Sequence, residues 1–154
     1  MIRILFICHG NICRSPMAEF IMKSLAKKYS IDKELYITSK ATSMEEIGND
    51  IYPPAKKVLS NNSIPYEKHS ASRIVKADLD SFDLIIGMDT YNMQNIRRML
   101  GDSPKIHKLC EYSNTEVDVD DPWYTRDFDQ CFGEIYAHCN NLCKRLCKTL
   151  ANKN

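Results

Sequence analysis

The stretch "CHGNICRS", residues 8–15, begins where the first apolar run of the chain, "IRILFI" at 2–7, ends. A continuous apolar run with β-branched residues is typical of a buried parallel strand. The segment after the stretch, 15–29, predicts a helix whose start is marked by Ser15, Pro16 and Glu19. The stretch is therefore predicted to be the loop that joins a strand to the N-terminus of a helix.

Strand-like and helix-like segments alternate along the rest of the chain. Further strands are predicted at 35–39, 83–88 and 105–110, and further helices at 53–62, 90–100 and 128–150. Because 111–127 is polar, acidic and interrupted by proline, a long loop is predicted there. This alternation predicts a single-domain, three-layer α/β fold over residues 1–154, with a four-stranded parallel sheet and helices on both faces. A ligand site is then expected at the carboxyl ends of the strands, where the stretch at 8–15 lies.

Composition limits the classes of function. The chain has 154 residues, of which 44% are hydrophobic and 27% charged, and its formal net charge is +1. These values are typical of a globular domain, and the small net charge predicts no general attraction to nucleic acid or to a membrane surface. The apolar start "MIRILFI" is too short for a signal peptide, and no stretch is long enough to span a membrane. Any binding of an anion must then come from a local site.

The seven cysteines are predicted to be reduced thiols of a cytoplasmic protein. A chain of this length does not need disulfides, and Cys8 and Cys13 lack the second close pair of cysteines or histidines that a zinc site needs. Cys139, Cys143 and Cys147 recur every fourth residue and so share one helix face. Because cysteine is among the most buried residue types, we expect this face to belong to the core rather than to a metal or redox site.

Residues 8–15 have the chemistry of an anion-binding loop. Backbone N–H groups converge before a helix N-terminus, and the helix dipole adds a partial positive charge there. Gly10 and Asn11 tolerate the backbone conformations that such a loop needs. The guanidinium of Arg14 matches two phosphate oxygens at once. The loop is therefore predicted to bind a phosphate group.

Cys8 lies at the mouth of this loop, where the positive potential favours the thiolate form of cysteine. A thiolate held against a bound tetrahedral anion is a nucleophile aimed at phosphorus. Ser15 can donate a hydrogen bond to that thiolate and later stabilise it as a leaving group. The alternative, a core thiol beside a surface arginine, leaves unexplained why the strand, the Gly-Asn pair and the Ser-Pro start all occur together.

The loop resembles the C-x5-R-S signature of protein tyrosine phosphatases, and the fuller string "CHGNICRSPMAE" is similar to the low-molecular-weight family. The resemblance extends over nearly the whole chain, through "KHSAS" at 68–72, "LIIGMD" at 84–89 and "DDPWY" at 120–124. It implies hydrolysis of phosphotyrosine in proteins or peptides through a phosphocysteine, without a cofactor or a metal. Inorganic phosphate is the implied product and an inhibitor.

The resemblance also selects the general acid. In the family, an aspartate before a proline on a late loop donates the proton that the leaving group needs, and here Asp121 precedes Pro122. From the residues alone, Asp118, Asp120 and Asp121 are equally possible, because an acidic loop is usually only solvated. The implied catalytic set is therefore Cys8, Arg14 and Asp121.

Further site residues follow from the resemblance. The phosphate-binding loop comprises His9, Gly10, Asn11, Ile12, Cys13 and Ser15. Ser39 and His69 are expected to brace it through hydrogen bonds, although a histidine on a polar loop can equally be only exposed. The substrate cleft is assigned Met44, Glu45, Trp123 and Tyr124. An aromatic wall suits a flat phenyl ring, but an exposed aromatic pair can also serve as a packing lid.

Two features of the sequence depart from the family pattern. His9 stands where a small or aliphatic residue is common, and "SMEEIG" at 43–48 stands where a large cleft residue is common. A carboxylate at the rim, from Glu45 or Glu46, would disfavour acidic peptides. Peptide preference therefore stays open at this point.

Three other functions compete with the phosphotyrosine phosphatase. Thiol-dependent arsenate reductases on this scaffold need redox cysteines in the middle of the chain, and here none lies between Cys13 and Cys110. Arginine phosphatases typically carry threonine where this loop has Ile12. A phosphate-sensing module, which binds without turnover, needs neither a nucleophile nor a general acid. The phosphotyrosine phosphatase is the prediction.

Cys13 lies five positions after Cys8 in the same tight loop. A modest backbone change could bring the two sulfurs within bonding reach, and an accessible thiolate is the first target of peroxide. The resemblance favours Cys13 as the thiol that traps oxidised Cys8 as a disulfide. The alternative is that Cys13 only fills space beneath the loop.

Overall fold

The structure is a computed structural model that describes residues 1–153. Within that range the chain forms one sheet of four parallel strands in the order β2-β1-β3-β4. The strands are β1 Ile2–Cys8, β2 Leu35–Ala41, β3 Leu84–Gly87 and β4 Ile106–Lys108. The predicted fold class is confirmed. The last strand is shorter than predicted because the chain turns at Leu109 into a 3-10 helix, Leu109–Ser113.

The helices connect and cover the strands. They are α1 Arg14–Lys28, α2 Pro53–Asn61, α3 Asp78–Ser81, α4 Thr90–Leu100, α5 Pro122–Thr125 and α6 Phe128–Asn152, with a further 3-10 helix at Asp32–Glu34. The bounds of α4 agree with the prediction. The predicted loop at 111–127 is wrong in part, because it contains the end of the second 3-10 helix and all of α5.

The N-terminus of α1 differs from the prediction in one respect. The helix begins at Arg14, and Cys13 rather than Ser15 is the residue at its N-cap position. The hydroxyl of Ser15 instead lies 3.1 Å from the sulfur of Cys8. The side chain that looked like a helix cap is therefore used inside the loop.

The core occupies both faces of the sheet because successive strand residues point to opposite sides. From β1, Ile4 and Phe6 join the larger cluster, which includes buried residues of α1, α2 and α6. Leu5 and Ile7 point the other way and join a smaller cluster with residues of α4. All four side chains are fully buried, so β1 lies at the centre of a three-layer fold.

The cysteine face of α6 belongs to the core, as predicted. Cys139 and Cys143 are fully buried in the larger cluster, and Cys147 is half-buried at its edge. All seven cysteines carry free thiols. Among the helices of residues 1–153, none combines the length and the apolar content needed to cross a membrane.

Candidate active site

The phosphate loop, residues 8–15, leaves the carboxyl end of β1 and enters α1. Around the sulfur of Cys8 it places three hydrogen-bond donors: the N–H of Asn11 at 3.3 Å, the N–H of Ser15 at 3.4 Å and the hydroxyl of Ser15 at 3.1 Å. Hydrogen bonds donated to sulfur stabilise the negative charge of a thiolate. The loop therefore surrounds the Cys8 sulfur with donors that can stabilise a thiolate.

The backbone of the loop bends at Asn11, which has a φ of 60° in the left-handed region. Asparagine tolerates this conformation better than most residues. Gly10 was expected to share this role, but it lies outside the left-handed region. A Cβ at Gly10 would lie 3.3 Å from Cγ of Glu46. Gly10 therefore serves the close approach of the neighbouring segment rather than a bend.

The side chain of Asn11 braces the loop from below. Its amide nitrogen donates to the hydroxyl of Ser15 at 2.8 Å and to that of Ser39 at 3.0 Å. The hydroxyl of Ser39 donates in turn to Glu19 at 2.6 Å, and Lys23 donates to the same carboxylate at 2.6 Å. Glu19 lies deeper in α1 than the first turn to which its sequence position assigned it, and it is buried. This network connects the loop to both α1 and β2.

His69 reaches the loop from a distant segment. Its Nε2 donates to the carbonyl oxygen of Asn11 at 2.7 Å, and its backbone N–H donates to Asp50 at 3.0 Å. Lys56 also donates to Asp50, and these two hydrogen bonds lower the pKa of that carboxyl to about 2. Asp50 is therefore charged throughout the neutral range and holds the His69 segment in place.

Arg14 is buried and held on one side by two acceptors. Its Nη1 donates to Asp89 at 2.6 Å and to the carbonyl oxygen of Val119 at 2.9 Å, while Nη2 lies 3.5 Å from Asp121. Burial alone would lower the pKa of the guanidinium. The negative groups beside it, chiefly Cys8 and Asp89, outweigh that effect and raise the pKa above its usual value. The cation is thus permanent and fixed in direction.

Asp89 is a site residue that reasoning from the sequence missed. It is the N-cap residue of α4, where its side chain accepts from the N–H of Asn92 at 2.6 Å. The available signal was its position at the carboxyl end of β3, since β3 and β1 are neighbours in a parallel sheet. The ends of adjacent parallel strands meet at one edge.

The three aspartates of the late loop lie in three different environments. Asp121 faces the phosphate loop with its side chain 25% exposed, and it accepts from the N–H of Trp123 at 3.0 Å. Asp120 lines a separate shallow recess beside α6. Asp118 accepts from Lys108 at 2.9 Å. Of the three, Asp121 is the one that lies near Cys8 and Arg14.

A cavity of about 140 Å³ opens above the phosphate loop. Its lining comes from the loop and from two flanking segments: Cys8, His9, Gly10, Ile12, Cys13, Arg14, Glu45, Glu46, Asp121, Trp123 and Tyr124. Asn11, Ser15, Ser39 and His69 lie beneath this lining, where they brace the loop. Met44, which was also predicted to line the cleft, is 66% exposed and is not among the lining residues, whereas Glu46 is.

Two aromatic side chains line the mouth of the cavity, one packed against its neighbours and one exposed to solvent. Trp123 packs on Tyr52, with ring centroids 4.9 Å apart, and Arg126 lies 5.8 Å from the Trp123 ring. Tyr124 is 81% exposed. Nε2 of His9 lies 3.0 Å from the carboxylate of Glu45. The lining of the cavity therefore includes both aromatic rings and a histidine–carboxylate pair.

Cys13 is buried at the start of α1 and contributes to the floor of the cavity. Burial raises the pKa of its thiol, and the neighbouring Cys8 and Asp121 raise it further. Cys13 is thus a neutral thiol at neutral pH. Across residues 1–153, no group of three or more His, Cys, Asp or Glu side chains could hold a metal ion.

Comparison with known proteins agrees with this geometry. Residues 3–154 match the family model described as low molecular weight phosphotyrosine protein phosphatase. The chain is 36% identical over 146 residues to the low molecular weight protein-tyrosine-phosphatase YfkJ of Bacillus subtilis, covering 92% of this chain and 94% of YfkJ. It is 38% identical over 144 residues to PtpA of Staphylococcus epidermidis, covering 92% of each.

Solved structures extend the likeness to three dimensions. The crystal structure of YfkJ from Bacillus subtilis superposes with a TM-score of 0.92 over 97% of this chain and 96% of that one, at 35% identity. The YwlE arginine phosphatase superposes with a TM-score of 0.86 at 28% identity, over 96% of this chain and 97% of that one. With the family model matching nearly its whole length, the chain belongs to the low-molecular-weight protein tyrosine phosphatases, a family of cysteine-dependent hydrolases.

Proposed function

We propose that this protein hydrolyses phosphotyrosine in proteins through a phosphocysteine on Cys8. The observation that carries the proposal is the placement of Cys8, Arg14 and Asp121 around one cavity. Transfer of a phosphoryl group to an enzyme needs a nucleophile, a cation for the phosphate oxygens and a proton donor for the leaving group. A module that only binds phosphate would need the cation but neither the nucleophile nor the proton donor.

In the first step, the phosphate loop and Arg14 bind the non-bridging oxygens of the substrate. Nη1 of Arg14 is held by Asp89 and Val119, which leaves Nε and Nη2 as the donors available to the phosphate. The sulfur of Cys8 forms a bond to phosphorus while the bond from phosphorus to the tyrosine oxygen breaks. Asp121 donates its proton to that oxygen, and the substrate protein leaves with its tyrosine side chain dephosphorylated.

In the second step, the carboxylate of Asp121 accepts a proton from water as the water oxygen attacks phosphorus. The P–S bond breaks and Cys8 leaves as a thiolate, which the hydroxyl of Ser15 and the two loop N–H groups stabilise. Inorganic phosphate is released. Because it occupies the same cradle as the substrate, phosphate is a competitive inhibitor.

The walls of the cavity favour a flat, long phosphorylated side chain. Trp123 and Tyr124 offer aromatic faces to a phenyl ring, and Ile12 adds an apolar contact at the loop. A phosphoserine is too short to bring its phosphorus to Cys8 past these walls. At the rim, Glu45 and Glu46 repel acidic peptides, so we expect peptides with neutral or basic neighbours to be preferred.

Turnover of p-nitrophenyl phosphate by the wild type and by Cys8→Ser tests the mechanism. The variant loses the nucleophile and should be inactive while still binding vanadate, since the loop N–H groups and Arg14 remain. Activity should persist in excess EDTA. Substantial turnover by Cys8→Ser, or a strict need for a divalent cation, would contradict the mechanism.

The substrate class is tested with phosphorylated peptides of one sequence. We expect kcat/KM for phosphotyrosine to exceed that for phosphoserine, phosphothreonine and phosphoarginine. Ile12→Thr is the informative variant, because it replaces the apolar contact by a hydroxyl that a guanidinium phosphate can use. Equal rates on phosphotyrosine and phosphoarginine in the wild type would favour an activity like that of YwlE. We also propose that the protein acts in the cytoplasm, which cell fractionation tests.

A further inference from the structure

Asp118 is bound by two residues from elements that the catalytic steps do not use. Its Oδ1 accepts from Nζ of Lys108 at 2.9 Å and from the hydroxyl of Thr90 at 3.2 Å. Its Oδ2 accepts from the backbone N–H of Thr90 at 3.1 Å. Lys108 also reaches the hydroxyl of Thr90 at 3.3 Å. We name Thr90, Lys108 and Asp118 the clamp.

The clamp connects the segment that carries Asp121 to the end of the sheet. Lys108 is the last residue of β4, and Thr90 is the first residue of α4, which Met88 and Asp89 connect to β3. Asp118 lies three residues before Asp121. One carboxylate thus ties the approach to Asp121 to the carboxyl ends of two neighbouring strands.

The next residue extends this attachment. The N–H of Val119 donates to the carbonyl oxygen of Met88 at 3.0 Å, and its own carbonyl oxygen accepts from Arg14 at 2.9 Å. Val119 is fully buried, whereas Val117, on the other side of Asp118, is 67% exposed. The clamp therefore lies at the boundary between exposed chain and the fixed segment that leads to the active site.

We propose that Lys108 and Thr90, acting through Asp118, position the carboxyl group of Asp121 for proton transfer to the leaving group. These three are positioning residues, since none of them lines the cavity. The proposal rests on the proposed phosphatase function. It assigns a catalytic consequence to an ion pair 10 residues apart in sequence that the mechanism does not otherwise require.

The charge state of the clamp suits this role. Burial alone would raise the pKa of Asp118, but the hydrogen bonds from Lys108 and Thr90 outweigh it and lower the pKa below its usual value. The hydrogen bond to Asp118 likewise raises the pKa of Lys108. Both groups are therefore charged across the neutral range of pH, so the ion pair between Lys108 and Asp118 persists there.

The test compares two aryl phosphates in Asp118→Asn. Phenyl phosphate has a poor leaving group that needs the proton of Asp121, whereas p-nitrophenyl phosphate needs it less. A misplaced general acid should lower kcat/KM for phenyl phosphate by about tenfold and that for p-nitrophenyl phosphate by less than about twofold. A purely structural role would lower both equally, together with the melting temperature.

A double variant makes the test sharper. If the clamp acts through Asp121, then adding Asp118→Asn to Asp121→Asn should leave the ratio of the two kcat/KM values unchanged. Asp102→Asn is the matched control, because it removes an exposed ion pair with Arg97 that lies 3.4 Å apart at the far end of α4. This control variant should change kcat/KM for neither substrate.

Thr90→Val and Lys108→Met carry the same test if Asp118→Asn does not fold. An unchanged ratio in clamp variants that fold overturns the proposal. A further fall of the ratio in the double variant overturns it as well, because the clamp would then act on something other than Asp121. A wild type that hydrolyses neither aryl phosphate would refute the proposed function itself, which is a different outcome.

Discussion

The phosphate loop and the segment that carries Asp121 face the same cavity, but they are held in different ways. The loop is continuous with β1 and α1, and its residues Asn11 and Ser15 are fully buried and hydrogen-bonded. The aspartate segment is attached at Asp118 and Val119 and is otherwise largely exposed. In the proposed mechanism the rigid loop binds the anion, and the more exposed segment places one proton donor.

This difference predicts two classes of variant. Damage to the phosphate loop should impair every substrate equally, because every phosphate monoester presents the same anion. Damage to the aspartate segment should depend on the leaving group, because only a poor leaving group needs the proton. The following experiments test the division, from the largest expected effect to the smallest.

Arg14→Lys should lower kcat/KM by about a thousandfold for all aryl phosphates, because a point charge does not replace the planar, two-donor guanidinium. The lysine would still pair with Asp89, so folding should be retained. Steady-state assays with phenyl and p-nitrophenyl phosphate measure the loss. Arg97→Lys, on the exposed side of α4, is the matched control. A loss of activity restricted to phenyl phosphate would contradict the proposed difference between the phosphate loop and the aspartate segment.

Asp121→Asn should lower kcat/KM for phenyl phosphate by about a hundredfold or more, and that for p-nitrophenyl phosphate much less. The carboxamide keeps the size of the side chain but has no proton to donate. Asp120→Asn, at the preceding residue, is the matched control and should have little effect on either kcat/KM value, since Asp120 lines a different recess. If Asp120→Asn proves the sensitive variant, the assignment of the general acid is wrong by one residue.

Ser39→Ala tests the brace beneath the loop. The variant removes one of the two acceptors of the Asn11 amide and leaves the buried Glu19 without one of its donors. Loss of a buried hydrogen-bond partner costs about 1–3 kcal/mol of unfolding free energy, so the melting temperature should fall. Activity should fall by about the same factor for both aryl phosphates. If the loss of activity depended on the leaving group, Ser39 would behave like the aspartate segment rather than like the phosphate loop, and the prediction would be wrong.

Cys13→Ser should change recovery from oxidation rather than turnover. Peroxide converts Cys8 to a sulfenic acid. The sulfur of Cys13 would then displace the sulfenic hydroxyl, which leaves as water with the proton of the Cys13 thiol, and the disulfide that forms is reduced by dithiothreitol. After equal inactivation, wild type should regain most of its activity and the variant much less. Equal recovery would leave Cys13 as a space-filling residue.

The pH dependence of this recovery sharpens the prediction. Burial raises the pKa of Cys13, so its thiolate is scarce at neutral pH and becomes more abundant as the pH rises. For equal inactivation, the fraction that dithiothreitol restores should therefore be larger at high pH than at low pH. A recovery that falls with rising pH would contradict trapping by Cys13.

Contiguous features of the site could be predicted from the sequence. Cys8, Arg14 and the strand and helix on either side form one stretch, and their chemistry follows from short-range spacing. The sheet and the bounds of α4 followed from hydrophobic periodicity. Asp121 needed the family resemblance, because nothing in the residues themselves separates it from Asp118 and Asp120.

Only the tertiary structure decided the partners that come from far along the chain. Asp89 meets Arg14 across 75 residues because β1 and β3 are neighbours in a parallel sheet, a register that local pattern does not encode. Glu46 lines the cavity because its segment packs against Gly10. The sequence by itself thus determined the proposed nucleophile and its loop, whereas packing between distant elements determined what fixes Arg14 and Asp121 in place.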